Sequence, residues 1–107
     1  MFGLKKSSIK KIQSIFEKYE AIESALLYGS RAKGNFRDNS DIDITLIGKT
    51  IDLNTLLKVE TEIDDLLLPY QIDLSIYNKI TNPELLDHIK RIGVIFYKQQ
   101  QPMANNN

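Results

Sequence analysis

The chain has 107 residues, and its 14 acidic and 14 basic side chains give a formal net charge of zero. A hydrophobic fraction of 42% is typical of a globular chain, and the length suits one domain. The absence of cysteine excludes disulfides and thiolate metal sites, and it permits the cytoplasmic location that we expect. No apolar run approaches the ~20 residues of a membrane span, and the N-terminus has no continuous apolar segment of a signal peptide. The balanced charge argues against direct nucleic-acid binding, so neither a membrane nor a nucleic acid is expected as a partner.

The first predicted element is an amphipathic helix that begins near Ser7 or Ser8, and either serine can serve as its N-cap. The short apolar stretch at residues 24–28 predicts a buried strand. A helical turn at residues 31–34 and a polar loop at residues 35–40 follow it. The apolar residues that recur every three or four positions in the first helix are Ile9, Ile12, Ile15, Phe16 and Tyr19.

Residues 41–48, DIDITLIG, alternate between polar and apolar side chains, which is the period of a β-strand. The following helix is predicted to take Asp52 as its N-cap and to end before Pro69, because proline cannot continue a helix. We expect its apolar side chains to face the core, and these are Leu53, Leu56, Leu57, Val59, Ile63, Leu66 and Leu67.

The C-terminal part of the chain adds one more strand, one helix and a last strand. Residues 71–77, QIDLSIY, alternate in the same way and predict the strand. The segment TNPELLDHIKRIG predicts a helix with Thr81 or Asn82 as its N-cap and Pro83 as its first residue. Gly93 is expected to end this helix, and VIFYK predicts the last short strand.

The predicted order of elements is α-β-α-β-α-β-α-β, in which the second helix is short. This order indicates an α/β (α+β) fold with a single domain at residues 1–98. Residues 99–107 are polar and of low complexity, and we expect them to form a disordered tail.

Two aspartates stand in the second predicted strand, one isoleucine apart. Because residues i and i+2 of a strand share a face, Asp41 and Asp43 are expected to lie side by side. Neighbouring carboxylates raise each other's pKa unless a cation lies between them, and Mg²⁺ prefers hard oxygen ligands. Asp73 lies on the polar side of the next predicted strand. If these strands are neighbours, three carboxylates converge and can hold two metal ions about 3.5–4 Å apart for displacement at phosphorus.

A solvated strand explains the same aspartates without any chemistry, and Asp73 alone fits such a strand. The Gly29–Ser30 pair favours a binding site, because glycine lets the backbone approach an anion and a serine hydroxyl donates to phosphate oxygens. Arg31 and Lys33 add cationic donors nearby. Gly-Ser is also ordinary turn chemistry. Each signal is weak alone, but together they place a phosphate-binding turn ten residues before a metal site.

The motifs GSRAKG, SDIDI and QIDLSIY together resemble those of the minimal nucleotidyltransferases of the DNA polymerase β-like superfamily. The signature of that family is Gly-Ser, ten further residues, Asp-x-Asp, and a third acid on a later strand. In element order the resemblance covers residues 8–97, and its specific part runs from Gly29 to Ile44. The resemblance implies the nucleotidyltransferase fold, a small mixed β-sheet flanked by helices.

The resemblance also implies which residues bind the nucleotide, ATP or another NTP. Gly29 and Ser30 would hold its triphosphate. Arg31 and Lys33 would contact the phosphates or else lie on the surface.

The acidic residues would carry the chemistry in such an enzyme. Asp41, Asp43 and Asp73 would bind Mg²⁺, as two ions with Mn²⁺ as a substitute. Asp73 would also help to deprotonate the attacking hydroxyl. The reaction would move a nucleoside monophosphate to that hydroxyl and release pyrophosphate.

The resemblance extends to a partner protein. Stand-alone proteins of this type resemble the antitoxin half of two-protein systems whose other half is a HEPN protein, a helical ribonuclease toxin. This implies a hetero-oligomer with a HEPN-type protein encoded nearby, one tyrosine of which receives AMP. Two alternatives stay open: a non-catalytic binding module that masks its partner, and a nucleotide-binding subunit of a two-chain transferase for a small molecule.

The histidine and the tyrosines are explained without a catalytic role. His88, the only histidine, is expected to be a solvated helix residue and not a catalytic one. Packing explains the tyrosines, although an exposed Tyr77 could itself accept a nucleotide.

Overall fold

The computed structural model describes residues 2–100, so the end of the expected polar tail, from residue 101 onward, lies outside the described residues. In this range the predicted order of helices and strands is confirmed, with one added 3₁₀ turn after the third strand. The elements are α1 (Lys6–Glu17), β1 (Ser24–Tyr28), α2 (Ser30–Lys33), β2 (Ile42–Ile47), α3 (Leu53–Asp64), β3 (Ile72–Ile76), the 3₁₀ turn (Tyr77–Lys79), α4 (Pro83–Ile92) and β4 (Val94–Lys98).

The four strands form one mixed sheet in the order β3-β2-β1-β4. β1 runs antiparallel to both β2 and β4, whereas β2 and β3 are parallel. Helix α3 connects the two parallel strands, as a parallel pair requires. The expectation of a small mixed sheet with helices is therefore confirmed, and the second and third strands are neighbours, which was the condition for the acids to converge.

The main core lies between one face of this sheet and the helices α1 and α3. The inward side chains of β2, Ile42, Ile44 and Leu46, have no exposed surface. Tyr28 and Ile89 are also buried, but they lie outside this core cluster. Tyr28 follows the core residue Leu27 on β1 and so points to the opposite face of the sheet. Helix α4 contacts β1 on this second face, where His88 packs against Tyr28.

The helix caps agree with the sequence at two of three starts. Asp52 accepts a hydrogen bond from the Thr55 N–H at 2.9 Å, and Asn82 caps α4. The predicted serine cap of α1 is wrong, because Lys5 is the N-cap and makes no side-chain capping bond. Ser8 lies inside the helix and is buried, so it packs instead of capping.

Helix α3 buries a narrower stripe than its leucines predict. Val59 and Ile63 are buried, whereas Leu53 and Leu57 are 59% and 50% exposed. At 3.6 residues per turn, the two leucines lie about a quarter to a third of a turn away from the buried stripe. Leu67, 88% exposed, follows the end of the helix. The expectation that these three leucines face inward is therefore wrong.

No helix among residues 2–100 is both long and apolar enough to cross a bilayer.

Candidate active site

A sharp turn between β1 and α2 begins the candidate site. Gly29 has φ 77° and ψ −158°, a backbone conformation that residues other than glycine rarely adopt. A Cβ at this position would lie 2.3 Å from Oδ2 of Asp43. Glycine is therefore needed here for its backbone conformation and also for space. Its missing side chain lets the turn touch an acidic side chain of β2.

The strand register brings two of the three predicted acids together. In the parallel pair β2–β3, Asp43 is the register partner of Asp73, and adjacent strands lie about 4.8 Å apart. Asp43 also pairs with Tyr28 of β1, so it occupies the middle of the sheet. Asp41 is exposed and precedes the first residue of β2. The N–H of Ile42 donates to the carbonyl of the residue before β3 at 2.8 Å, and this bond joins the start of β2 to the start of β3.

The surroundings of Asp43 disfavour its charge. Burial is the main cause that raises the pKa of this carboxyl, and the negative charges of Asp73 and Asp41 raise the pKa further. Burial also raises the pKa of the Tyr28 hydroxyl, and both Asp43 and Asp73 add to that rise. The three carboxylates thus interact electrostatically, and a cation placed among them would relieve their repulsion.

Two polar side chains lie next to the acids on the same face. The Ser75 hydroxyl donates to the hydroxyl oxygen of Thr45 at 2.9 Å, across β3 and β2. Thr45 is completely buried. This bond joins the side chains of β3 and β2 directly beside the acids.

The donor atoms suit a hard divalent cation, but the side chains do not enclose one as they lie. Within residues 2–100, no group of three or more His, Asp or Glu side chains is arranged to hold a metal ion. Carboxylate oxygens are nevertheless the ligands that Mg²⁺ prefers. The register puts Asp43 beside Asp73, and the negative charges of Asp73 and Asp41 both act on Asp43, so the three acids are near enough to interact.

Of the predicted phosphate ligands, Ser30 starts α2 and is half-buried, and Lys33 on the same helix is exposed. Arg31 is placed differently from the expected phosphate contact. Its side chain is 2% exposed. All three of its nitrogens donate to backbone carbonyls, those of Phe2, Asp38 and Ser40, at 2.9–3.2 Å. These donors are therefore engaged within the fold.

His88 is a site residue that the sequence interpretation missed. Its Nε2 accepts a hydrogen bond from the N–H of Gly29 at 3.1 Å. Its ring also packs edge-on against Tyr28, with centroids 6.1 Å apart. The expectation of a solvated histidine is wrong, because α4 turns this residue toward the sheet. A signal was present, since His88 shares a helical stripe with Leu85 and Ile92, and all three are half-buried.

The fold is similar to chains of solved toxin–antitoxin structures. A chain of a toxin–antitoxin crystal structure with AMP-PNP superposes with a TM-score of 0.66 at 22% identity, covering 92% of this chain and 77% of the other. A second match is a chain of the structure of a tri-AMPylated Shewanella oneidensis HEPN toxin in complex with MNT antitoxin. It superposes with a TM-score of 0.64 at 18% identity, covering 92% of this chain and 76% of the other. At such identities the likeness establishes the fold.

The family follows from the sequence. A search of the curated proteins gave no match. The family model described as polymerase beta, nucleotidyltransferase matches residues 10–102, which is most of the chain and includes every predicted site residue. The chain therefore belongs to the polymerase β nucleotidyltransferase family.

Proposed function

We propose that this nucleotidyltransferase domain moves AMP from ATP to a tyrosine hydroxyl of a HEPN-type toxin and thereby acts as its antitoxin. One observation carries the proposal above all. Asp43 and Asp73 stand side by side on adjacent strands, and Gly29 leaves room for Asp43 to touch the turn that precedes Ser30. An anion-binding turn against a pair of carboxylates is the arrangement that phosphoryl transfer uses.

In this proposal the turn binds the nucleotide. The Gly29 backbone allows close approach of the triphosphate, and the Ser30 hydroxyl donates to a phosphate oxygen. Lys33 is exposed on α2 and free to add charge at the phosphates. Arg31 takes no direct part, because backbone carbonyls occupy its donors.

The acids act on the reacting groups. Asp41, Asp43 and Asp73 would hold magnesium, which, when bound, offsets the negative charge that develops at the phosphoryl group. Asp73 is exposed, so it can reach an incoming hydroxyl and accept its proton. The tyrosine oxygen then forms a bond to the α-phosphorus, and the bond from that phosphorus to the bridging oxygen breaks. Pyrophosphate leaves with that oxygen, and AMP stays on the tyrosine.

The choice of ATP and of a HEPN tyrosine rests on the structural neighbours and on the earlier resemblance. One neighbour is a toxin–antitoxin structure with AMP-PNP, and another contains a tri-AMPylated HEPN toxin with an MNT antitoxin. A similar fold in this chain supports the same kind of partner and a hetero-oligomer. The proposed location is the cytoplasm, where ATP and such a partner would both be present.

The test is transfer of label from α-labelled ATP to the HEPN-type protein encoded beside this chain, in the presence of Mg²⁺. The wild-type protein is expected to label that partner. Asp41→Asn with Asp43→Asn should label it at less than about a hundredth of the wild-type rate, since a metal contributes several kcal/mol to such a transition state. The matched control is Asp64→Asn with Asp65→Asn, a pair of exposed acids at the end of α3.

The same variants separate catalysis from masking. If the doubly substituted protein still binds the toxin but no longer neutralises it, the chemistry is required. Neutralisation without labelling would instead identify a masking module. A wild-type protein that labels no protein but modifies a small molecule in the presence of its partner would identify a two-chain transferase.

A further inference from the structure

We infer that His88 is a positioning residue for nucleotide binding, which holds the Gly29 turn through a hydrogen bond from α4. This inference rests on the proposed function, because it concerns the turn that would bind the triphosphate. His88 lies 59 positions away along the chain and outside the Gly-Ser and Asp-x-Asp motifs. Its imidazole nonetheless reaches the first backbone N–H of the turn.

Gly29 needs such an anchor because of its own flexibility. Glycine has more backbone conformations open to it than any other residue, and a glycine at φ 77° has no side chain that limits its rotation. The contact with Asp43 restrains this residue from the β2 side. The bond from the Gly29 N–H to Nε2 of His88, 3.1 Å long, restrains it from the α4 side and fixes the plane of the peptide between Tyr28 and Gly29.

His88 is itself held firmly in place. Asn82 caps the N-terminus of α4 by accepting from the N–H groups of Glu84 and Leu85. Ile89, the residue after His88, is 1% exposed. The His88 ring packs against Tyr28, the residue that precedes Gly29, at an interplanar angle of 77°. One side chain thus contacts two consecutive residues at the end of β1.

The hydrogen bond needs a lone pair on Nε2, so the ring accepts it only while this nitrogen carries no proton. A positive charge on the same ring would lower the pKa of Asp43. The positioning role of His88 depends on the hydrogen bond and on its geometry.

Two substitutions separate the acceptor from the ring. His88→Phe keeps a ring against Tyr28 but has no acceptor, whereas His88→Gln keeps an acceptor at similar reach but has no ring. Loss of one hydrogen bond between neutral groups should weaken ATP binding in the presence of Mg²⁺ about 5- to 10-fold in His88→Phe. His88→Gln should remain within about threefold of wild type, and the exposed neighbour Asp87→Asn should match it.

Binding is measured by titration calorimetry, and transfer kinetics should show a raised KM with kcat within about twofold, because the turn holds the triphosphate before and during transfer. The Gly29 amide proton gives a second readout in the ¹H–¹⁵N spectrum. It should move upfield in His88→Phe and stay near its wild-type position in His88→Gln. Thermal unfolding checks that each variant is folded, and His88→Leu replaces His88→Phe if that protein does not fold.

Three outcomes have distinct meanings. Wild-type affinity in a folded His88→Phe protein would overturn the inference and leave the proposed function intact. A loss in His88→Gln as large as that in His88→Phe would also overturn it, because a hydrogen-bond acceptor at this position would then not be enough to hold the turn. A wild-type protein that binds no ATP would refute the proposed function, and the inference with it.

Discussion

Replacement of Gly29 with alanine tests the closest contact of the candidate site. The new Cβ would lie 2.3 Å from Oδ2 of Asp43 and 3.2 Å from its Cγ, so the carboxylate has to move. The backbone, at φ 77° and ψ −158°, would also be strained, at a cost of about 1–3 kcal/mol. Forcing Asp43 off its rotamer adds about 0.5–1.5 kcal/mol. Alanine also lowers the conformational entropy of the unfolded chain, which offsets about 0.4–1 kcal/mol of this destabilisation.

The net expectation for Gly29→Ala is a loss of about 2–3 kcal/mol in the free energy of unfolding, together with loss of ATP binding. Gly34→Ala is the matched control. Gly34 has φ 90°, but a Cβ there would meet nothing within 4 Å. Gly34→Ala has the backbone strain without the steric clash, and we expect its free energy of unfolding to fall by about 1 kcal/mol.

Urea unfolding of both variants, followed by circular dichroism, measures the two losses, and calorimetry measures ATP binding in the presence of Mg²⁺. The reasoning predicts that Gly29→Ala is the less stable variant and the weaker binder. If Gly29→Ala is as stable as Gly34→Ala and binds ATP like wild type, the close packing of this turn against Asp43 has no functional importance.

Two further predictions concern stability. Arg31→Met should lower the free energy of unfolding by about 3 kcal/mol or more, because it removes the buried guanidinium that donates to three backbone carbonyls. Lys33→Met should change the free energy of unfolding by less than about 0.5 kcal/mol. Equal effects in urea unfolding would contradict the role of Arg31 in the fold. Asp52→Ala should lower stability at neutral pH, because hydrogen bonds from Thr55, first of all from its backbone N–H, hold the pKa of the Asp52 carboxyl below its ordinary 3.8. A carboxyl with a lowered native pKa stabilises the fold above its ordinary pKa and loses that effect as the pH falls through the native value, so the variant and wild type should converge in acid; a difference that persists there would refute this origin.

The sequence predicts the elements well because local signals mark them. The alternation around Asp43 and around Asp73 has the strand period, and Asp52 and Asn82 are side-chain caps that the structure confirms. The meeting of the two acids was predicted only on the condition that the strands are neighbours. That condition depends on the parallel crossover through α3, which local periodicity does not specify.

The errors share a different cause, which is tertiary contact. A guanidinium beside Gly-Ser matches the chemistry of phosphate binding, and the sequence does not show that backbone carbonyls already use the donors of Arg31. A lone histidine close to Asp87 and Lys90 similarly suggests solvent, but the packing of α4 against β1 turns His88 toward Gly29. The prediction that Leu53 and Leu57 face the core is wrong because their side of α3 does not face the sheet.

The buried arginine gives a physical reason for the ten-residue spacing between the two motifs. Arg31 directly follows Ser30, and its guanidinium binds the carbonyl of Ser40, which directly precedes Asp41. The intervening loop also gives the Asp38 carbonyl to the same group. The ring of Phe36, in this loop, packs 5.1 Å from the guanidinium. One side chain therefore joins the Gly29–Ser30 turn to the start of the strand that carries Asp43, and a loop of different length would not place the Ser40 carbonyl at the same guanidinium.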